Sequence, residues 1–128
     1  MAERLNVLVT GASSGIGRAA ACELASRGHN VFLGARRRTE LEELARTSER
    51  MKAVPLDVTD PDSVRAAAGR VDELTAGHGI DVLLNSAGYA LGGPVEALSG
   101  EAVQHQFQTN VFGPVSYTHL TLPTNREV

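Results

Sequence analysis

The sequence has few of the residues that build several common kinds of site. Cys22 is the only cysteine among 128 residues, so one chain contains neither a disulfide framework nor a thiolate metal cluster. We expect Cys22 to pack as a small apolar residue, and we expect no metal site. Lys52 is likewise the only lysine. A P-loop is therefore excluded, because that phosphate cradle needs a lysine after its last glycine.

Long apolar runs and blocks of one charge are also missing. The first apolar run, residues 5–9, is too short for a signal-peptide core or a membrane span. Charged residues make up 21% of the chain, the formal net charge is -3, and the longest block of like charge is the arginines at 36–38. We therefore expect a cytoplasmic protein that binds neither membranes nor nucleic acid.

Four short apolar runs alternate with segments of helical spacing. The runs are residues 5–9, 30–34, 52–56 and 81–85, and each is interpreted as a buried strand because turn or cap residues bound it. The alternation predicts right-handed βαβ units. The fold class is thus α/β, an incomplete doubly wound parallel sheet (Rossmann) with about four strands and four helices.

The spacing also predicts where helices begin and which face they bury. Asp60 is placed to cap the third helix, with Pro61 at its first position, where a missing N–H has no cost. Ser99 is predicted to begin the fourth helix. The apolar face of the first helix is predicted at Ile16, Ala19, Ala20 and Leu24.

The first predicted strand runs into a glycine-rich turn, TGASSGIG, at residues 10–17. Gly11 permits a sharp turn, Gly15 and Gly17 let the backbone approach a ligand, and the amides at the start of the next helix favour an anion. The alternative is a tight turn that binds no ligand and has glycines only because side chains would clash there. A second strand that ends at Gly34 and Ala35 favours a dinucleotide phosphate site.

These residues resemble the short-chain dehydrogenase/reductase family, whose compact branch carries the pattern TGxxxGxG. Three further segments are similar to family motifs in the same order: LDVTD at 56–60, NSAG at 85–88 and TNVFG at 109–113. Ser86 departs from the family's NNAG, which has a second asparagine there. The resemblance covers residues 5–115 and implies a Rossmann domain that binds a nicotinamide dinucleotide.

The resemblance implies a role for each matched position. The turn would hold the cofactor through Thr10, Gly11, Ser13, Ser14, Gly15, Ile16 and Gly17. The other implied positions are Asp57 at the adenine amino group, Val58 beside the ring, Asn85 in the sheet, Ala87 and Gly88 along the ribose, and Asn110 in the active site.

The end of the second predicted strand bears on which dinucleotide binds. NAD-binding Rossmann domains place an acidic residue there for the ribose 2′-hydroxyl, whereas this chain has Ala35 followed by three arginines. A guanidinium suits a 2′-phosphate, so NADP is favoured over NAD, with Arg36 as the first phosphate contact and Arg37 as the second. The alternative is a solvated basic turn.

The resemblance further implies a catalytic Tyr, a Lys four residues later, and a Ser upstream on another strand. Because tyrosine has a reference pKa of about 10, its acid/base role needs a nearby cation. Tyr117 is followed by Thr121 at that spacing, and Ser116 is adjacent to Tyr117. The chain as written is therefore expected to lack the catalytic Ser, Tyr and Lys and to be inactive.

Residues 1–115 are expected to be the N-terminal part of an NADP-binding Rossmann domain. Residues 116–128 lose the helical apolar period and are expected to be an irregular, non-native tail. The favoured function is the N-terminal fragment of an oxidoreductase that interconverts a small-molecule carbonyl and an alcohol by hydride transfer, the parent being a homo-oligomer. The alternative is a non-catalytic dinucleotide-binding module. Strand 81–85 is expected at a sheet edge, so the isolated chain is expected to be unstable or to self-associate.

Overall fold

The computed structural model describes residues 4–13, 15–87 and 97–112, with only the backbone at residues 106, 111 and 112. Strands and helices alternate as the sequence predicts. In chain order the elements are β1 (Asn6–Thr10), α1 (Gly15–Ser26), β2 (Asn30–Ala35), α2 (Arg38–Ala45), β3 (Met51–Pro55), α3 (Pro61–Leu74), β4 (Val82–Asn85), α4 (Gly100–Phe107) and a π-helical segment (Gln108–Phe112). Among the described residues, no helix combines the length and apolar character that a membrane crossing requires.

The four strands form one parallel sheet with the order β3-β2-β1-β4. β1 lies between two neighbours, since Val7 pairs with Val31 of β2 and with Val82 of β4. The observed strands differ from the predicted ones by no more than one residue at either end. The prediction of a doubly wound parallel sheet is confirmed, and within the described residues β4 lies at an edge.

The sheet is covered on both faces, because successive side chains of a strand point to opposite sides. Val7 and Val9 of β1 pack in one core with α1 and α2, whereas Leu8 packs in a second core with α3. Buried residues of the helices complete the two cores: Ala21, Ala25, Leu41 and Leu44 on the first face, and Val64, Ala67 and Val71 on the second.

Two helices begin where the sequence predicts. Asp60 caps α3 by accepting a hydrogen bond from the backbone N–H of Asp62 at 3.0 Å, and Pro61 is its first residue. Ser99 caps α4 by accepting from the backbone N–H of Ala102 at 3.0 Å. Both side chains satisfy amide groups that have no partner within the helix.

The buried face of α1 differs from the prediction. The buried residues are Gly17, Ala21 and Ala25, whereas Ile16 is 82% exposed. The predicted face, which placed Ile16 toward the core, is therefore wrong by about one position along the helix. The physical reason is the close packing at Gly17, where the helix meets the preceding turn and leaves no room for a side chain. The expectation that Cys22 packs as a small apolar residue is also wrong, because Cys22 is exposed on the same helix.

Candidate functional site

A cavity of about 470 Å³ lies where the strands end. β2 and β3 extend from β1 to one side and β4 to the other. The crevice beside such a reversal of strand order is where open parallel sheets bind ligands. The lining residues are Gly11, Ser13, Gly15 and Ile16 after β1, Gly34, Ala35, Arg36 and Arg37 at the end of β2, Leu56, Asp57, Val58 and Thr59 after β3, Ser86 and Ala87 after β4, and Thr109.

The turn after β1 requires glycine at two positions. Gly11 has a φ of +69°, and a Cβ added to it would lie 2.7 Å from the carbonyl oxygen of Ser86. A Cβ added to Gly17 would lie 2.3 Å from the carbonyl oxygen of Gly11. Only a residue without a side chain fits these backbone contacts. The two glycines thus bring the turn, α1 and the residues after β4 together at one end of the cavity.

Thr10 is fully buried and joins β1 to the residues after β4. Its hydroxyl oxygen accepts hydrogen bonds from the backbone N–H groups of Ser86 and Ala87, each at 3.1 Å. Ser86 and Ala87 line the cavity. The structure therefore places Thr10 behind the cavity wall, where it positions backbone that faces the cavity.

Three consecutive arginines follow β2, and they differ in their surroundings. Arg36 and Arg37 line the cavity. Arg37 forms an ion pair with Glu40 at 3.4 Å, and Arg38 forms one with Glu42 at 3.1 Å. Across the described ranges, Arg36 has no salt bridge. Of the two arginines in the lining, Arg36 thus has the charge that is not already paired.

Asp57 is half-buried in the cavity wall and is held by Thr59. The Thr59 hydroxyl donates to Asp57 Oδ1 at 2.6 Å, and the Thr59 backbone N–H donates to the same oxygen at 3.0 Å. Burial raises the pKa of the Asp57 carboxyl, but these two hydrogen bonds, with the electrostatic influence of Arg36 and His105, outweigh it and lower the pKa below its ordinary value. Asp57 is therefore a carboxylate at neutral pH.

Of the remaining predicted site residues, some lie in or beside the cavity and others fall outside the described residues. Val58 is buried and lines the cavity, and Asn85 is the last residue of β4. Asn110 lies in the π-helical segment beside Thr109, which lines the cavity. Such segments are frequent at functional sites. The positions outside the described residues are Ser14, Gly88, Ser116 and Tyr117.

Gly34 and Ala35 also line the cavity, and the sequence analysis names them only as the end of the second strand. Beyond these, sequence reasoning missed four lining residues: Leu56, Thr59, Ser86 and Thr109. Each lies inside a segment that the sequence already singles out, LDVTD, NSAG or TNVFG. The available signal was their position at the carboxyl ends of strands or at the start of the last motif. Their contacts depend on how those segments turn, which residue type alone does not specify.

Comparison with known proteins identifies similarity to one family. The family model described as short chain dehydrogenase matches residues 5–127. Oxidoreductase calM from Penicillium decumbens is 37% identical over 121 residues, which cover 93% of this chain and 40% of that protein. The family match includes residues 116–127. Residues 116–128 lie outside the described residues, so their assignment as a non-native tail stays a prediction.

Solved structures resemble the chain over nearly its full length. A short-chain dehydrogenase from Streptomyces avermitilis has a TM-score of 0.90 at 36% identity, over 99% of this chain and 46% of that one. The NADPH-bound carbonyl reductase from chicken fatty liver has a TM-score of 0.86 at 32% identity, over 97% of this chain and 49% of that one. The chain thus spans less than half the length of the three relatives described.

Proposed function

Because this chain belongs to the short-chain dehydrogenase family, we propose that it is the N-terminal part of an oxidoreductase and binds NADP(H) in the cavity. The whole protein would interconvert a small-molecule carbonyl and an alcohol. The residues of this chain would bind and orient the dinucleotide, which when bound would supply or accept the hydride. The observation that carries the proposal is one cavity that joins a glycine-built turn to Arg36, an arginine that forms no salt bridge with any described residue.

The turn end of the cavity suits the pyrophosphate. α1 begins at Gly15, which lines the cavity together with Ser13 and Ile16. The first amide groups of a helix have no partner within it, and the helix dipole favours an anion there. The close backbone packing at Gly11 and Gly17 supports the same assignment, and we include Ser14 in this phosphate-binding turn.

The other end of the cavity suits a 2′-phosphate. β2 ends at Ala35, whose methyl side chain can neither bind a ribose hydroxyl nor repel a phosphate as an acidic residue at this position would. Arg36 follows with a guanidinium whose planar fork matches phosphate oxygens, and Arg37 lines the same region while paired with Glu40. The NADPH in the chicken reductase agrees with this preference. We therefore assign NADP over NAD.

The remaining contacts are assigned by position. Asp57 would accept a hydrogen bond from the adenine amino group, because it is an ionised carboxylate in the cavity wall. The other proposed residues are Val58 beside the adenine ring, Thr10 and Asn85 as supports of the wall, Ala87 and Gly88 along the ribose, and Asn110 near the reacting groups.

We propose that this chain binds the dinucleotide without turning over substrate. The family's tyrosine needs a cation to ionise near neutral pH, and Thr121 stands four residues after Tyr117. Lys52, the only lysine, lies in β3. Ketone reduction by the purified chain would contradict this part of the proposal.

The test compares the binding of NADPH and NADH to the wild type, Arg36→Ala and Arg38→Ala. Arg38 is a matched control, because it carries the same charge beside the cavity but pairs with Glu42 and is not in the lining. A lost charge-assisted contact would weaken NADPH binding by about tenfold or more in Arg36→Ala, with little change for NADH. Arg38→Ala should resemble the wild type.

Two outcomes would count against the proposal in different ways. A folded wild-type chain that binds no NADPH would overturn the dinucleotide site. An unchanged ratio of NADPH to NADH affinity in Arg36→Ala would overturn the phosphate contact alone.

A further inference from the structure

The segment after β3 fixes Asp57 through four hydrogen bonds. The backbone N–H of Asp57 donates to the Ser63 hydroxyl at 2.8 Å, and its carbonyl oxygen accepts from the backbone N–H of Asp60 at 3.1 Å. The other two bonds are those from the hydroxyl and backbone N–H of Thr59. Both the backbone and the side chain of Asp57 are therefore held.

The two Thr59 bonds reach the same carboxylate oxygen. The hydroxyl and the backbone N–H both donate to Oδ1, at 2.6 Å and 3.0 Å respectively. Within the described part of the chain, Oδ2 accepts no hydrogen bond. An ionised carboxylate has acceptor sites on each oxygen. Rotation of the carboxylate would break both Thr59 bonds, so the group has one preferred orientation, with Oδ2 left for a further donor.

We propose that Thr59 is a positioning residue for adenine recognition, which holds Asp57 so that Oδ2 accepts from the 6-amino group of the ring. This inference rests on the proposed function. Thr59 and Asp57 both line the cavity, so the hydrogen-bonded pair lies in the wall where the ligand would bind. Because the carboxylate is ordered before the ligand arrives, binding avoids the entropy cost of ordering it.

The hydroxyl of Thr59, more than its backbone amide, is the group that orients Asp57 toward the ring. The hydrogen bond from the Thr59 backbone N–H to Oδ1 forms a local turn by itself. That turn would stabilise the start of α3 whether or not a ligand binds. The hydroxyl adds the shorter of the two bonds, at 2.6 Å against 3.0 Å. A purely structural role would change stability and leave the choice of base untouched.

The test uses Thr59→Val, which removes the hydroxyl and keeps the branched shape, and Thr59→Ser, which restores the hydroxyl. Thr47→Val is the matched control, since the Thr47 hydroxyl donates to the carbonyl oxygen of Leu44 at 2.7 Å and Thr47 is not in the cavity lining. The dissociation constants of NADPH and of its hypoxanthine analogue are measured. The analogue carries a 6-oxo group in place of the donor.

The wild type should prefer the adenine form, because the 6-oxo group places an acceptor opposite a carboxylate. Thr59→Val should lower that preference about two- to tenfold, the effect of one lost hydrogen bond. Thr59→Ser and Thr47→Val should retain it. In a carbon-13 titration of the carboxyl group, the Asp57 midpoint should move to higher pH in Thr59→Val.

NADPH binding with an unchanged adenine preference in Thr59→Val would overturn this inference and leave the proposed function standing. A folded wild type that binds no NADPH would overturn both. Thr59→Ala is the second variant if Thr59→Val does not fold. Failure of both variants to fold would assign Thr59 to structure and likewise overturn the inference.

Discussion

The hydroxyl of Thr10 accepts a hydrogen bond at 3.1 Å from the backbone N–H of Ala87, which lies 77 residues later in the chain. Thr10 is fully buried, whereas Ala87 lines the cavity. One end of the bond thus belongs to the core and the other to the candidate site. The cavity wall is positioned by a group that does not face the cavity.

We expect Thr10→Val to lower the free energy of unfolding by about 1–3 kcal/mol, because two partly buried backbone amides would lose their acceptor. Urea denaturation measures the change. Thr10→Ser should lose less, since it keeps the oxygen, and Thr47→Val is the control for loss of a hydroxyl away from the cavity. Equal stability of Thr10→Val and the wild type would contradict the assigned role.

We expect Gly17→Ala to lower the free energy of unfolding by about 1–3 kcal/mol, the usual range for overpacking. The added Cβ would lie 2.3 Å from the carbonyl oxygen of Gly11, so the turn or the helix must shift. Gly69→Ala in α3 is the matched control, because its Cβ meets nothing within 4 Å. It should be neutral or stabilising by up to about 1 kcal/mol. Similar melting temperatures of the two variants would refute the packing at Gly17.

We expect Asp57 to make a pH-dependent contribution to stability. Its pKa is lowered in the folded chain, so the contribution is complete above the unfolded pKa of about 3.9 and disappears as the pH falls through the folded value. Urea unfolding of the wild type and Asp57→Asn, measured from neutral to acidic pH, should give a stability difference that shrinks in acid. A difference that stays constant over that range would contradict the pKa shift.

We expect the chain to self-associate through the edge strand β4. Among the described residues β4 pairs only with β1, and Val82 is 40% exposed. The opposite edge strand, β3, carries exposed Lys52 and Pro55, both of which discourage edge pairing. Val82→Lys should lower the associated fraction in sedimentation velocity.

Val103→Lys is the control for edge pairing, because Val103 is 36% exposed but lies on α4. It should leave the associated fraction near that of the wild type. A monomeric wild type at every concentration, or an equal effect of both substitutions, would rule out association through β4.

The strands and helix starts were predictable because their signals are local. A buried strand is a short apolar run between turn residues, and the caps at Asp60 and Ser99 depend on positions two or three residues away. The exposed face of α1 was not predictable in the same way. Ile16 is exposed because the packing of Gly17 on Gly11 sets the rotation of the helix, and that contact depends on the backbone path of the turn, which the apolar spacing does not specify.

The candidate site shows the same division. Positions at strand ends could be predicted, since parallel strands bring their carboxyl ends to one edge, and Arg36 and Asp57 do line the cavity. The hydrogen bonds of Thr59 depend on the conformation of the turn after β3. Arg37 and Arg38 differ from Arg36 in forming salt bridges, and those salt bridges depend on where α2 begins. The residue types along the sequence specify neither the conformation of that turn nor the start of that helix.

The central place of β1 gives the chain an order of assembly. The Asn6 and Asn30 side chains, which join β1 to β2, are 24 positions apart, whereas the bond from the Asn6 backbone N–H to Asp81 beside β4 spans 75. Closing the longer loop costs about 1 kcal/mol more in chain entropy. We therefore expect β1 and β2 to associate early in folding and β4 to join later. Because Ser86 and Ala87 complete the cavity wall, the capacity to hold a ligand would arise only when this last strand docks.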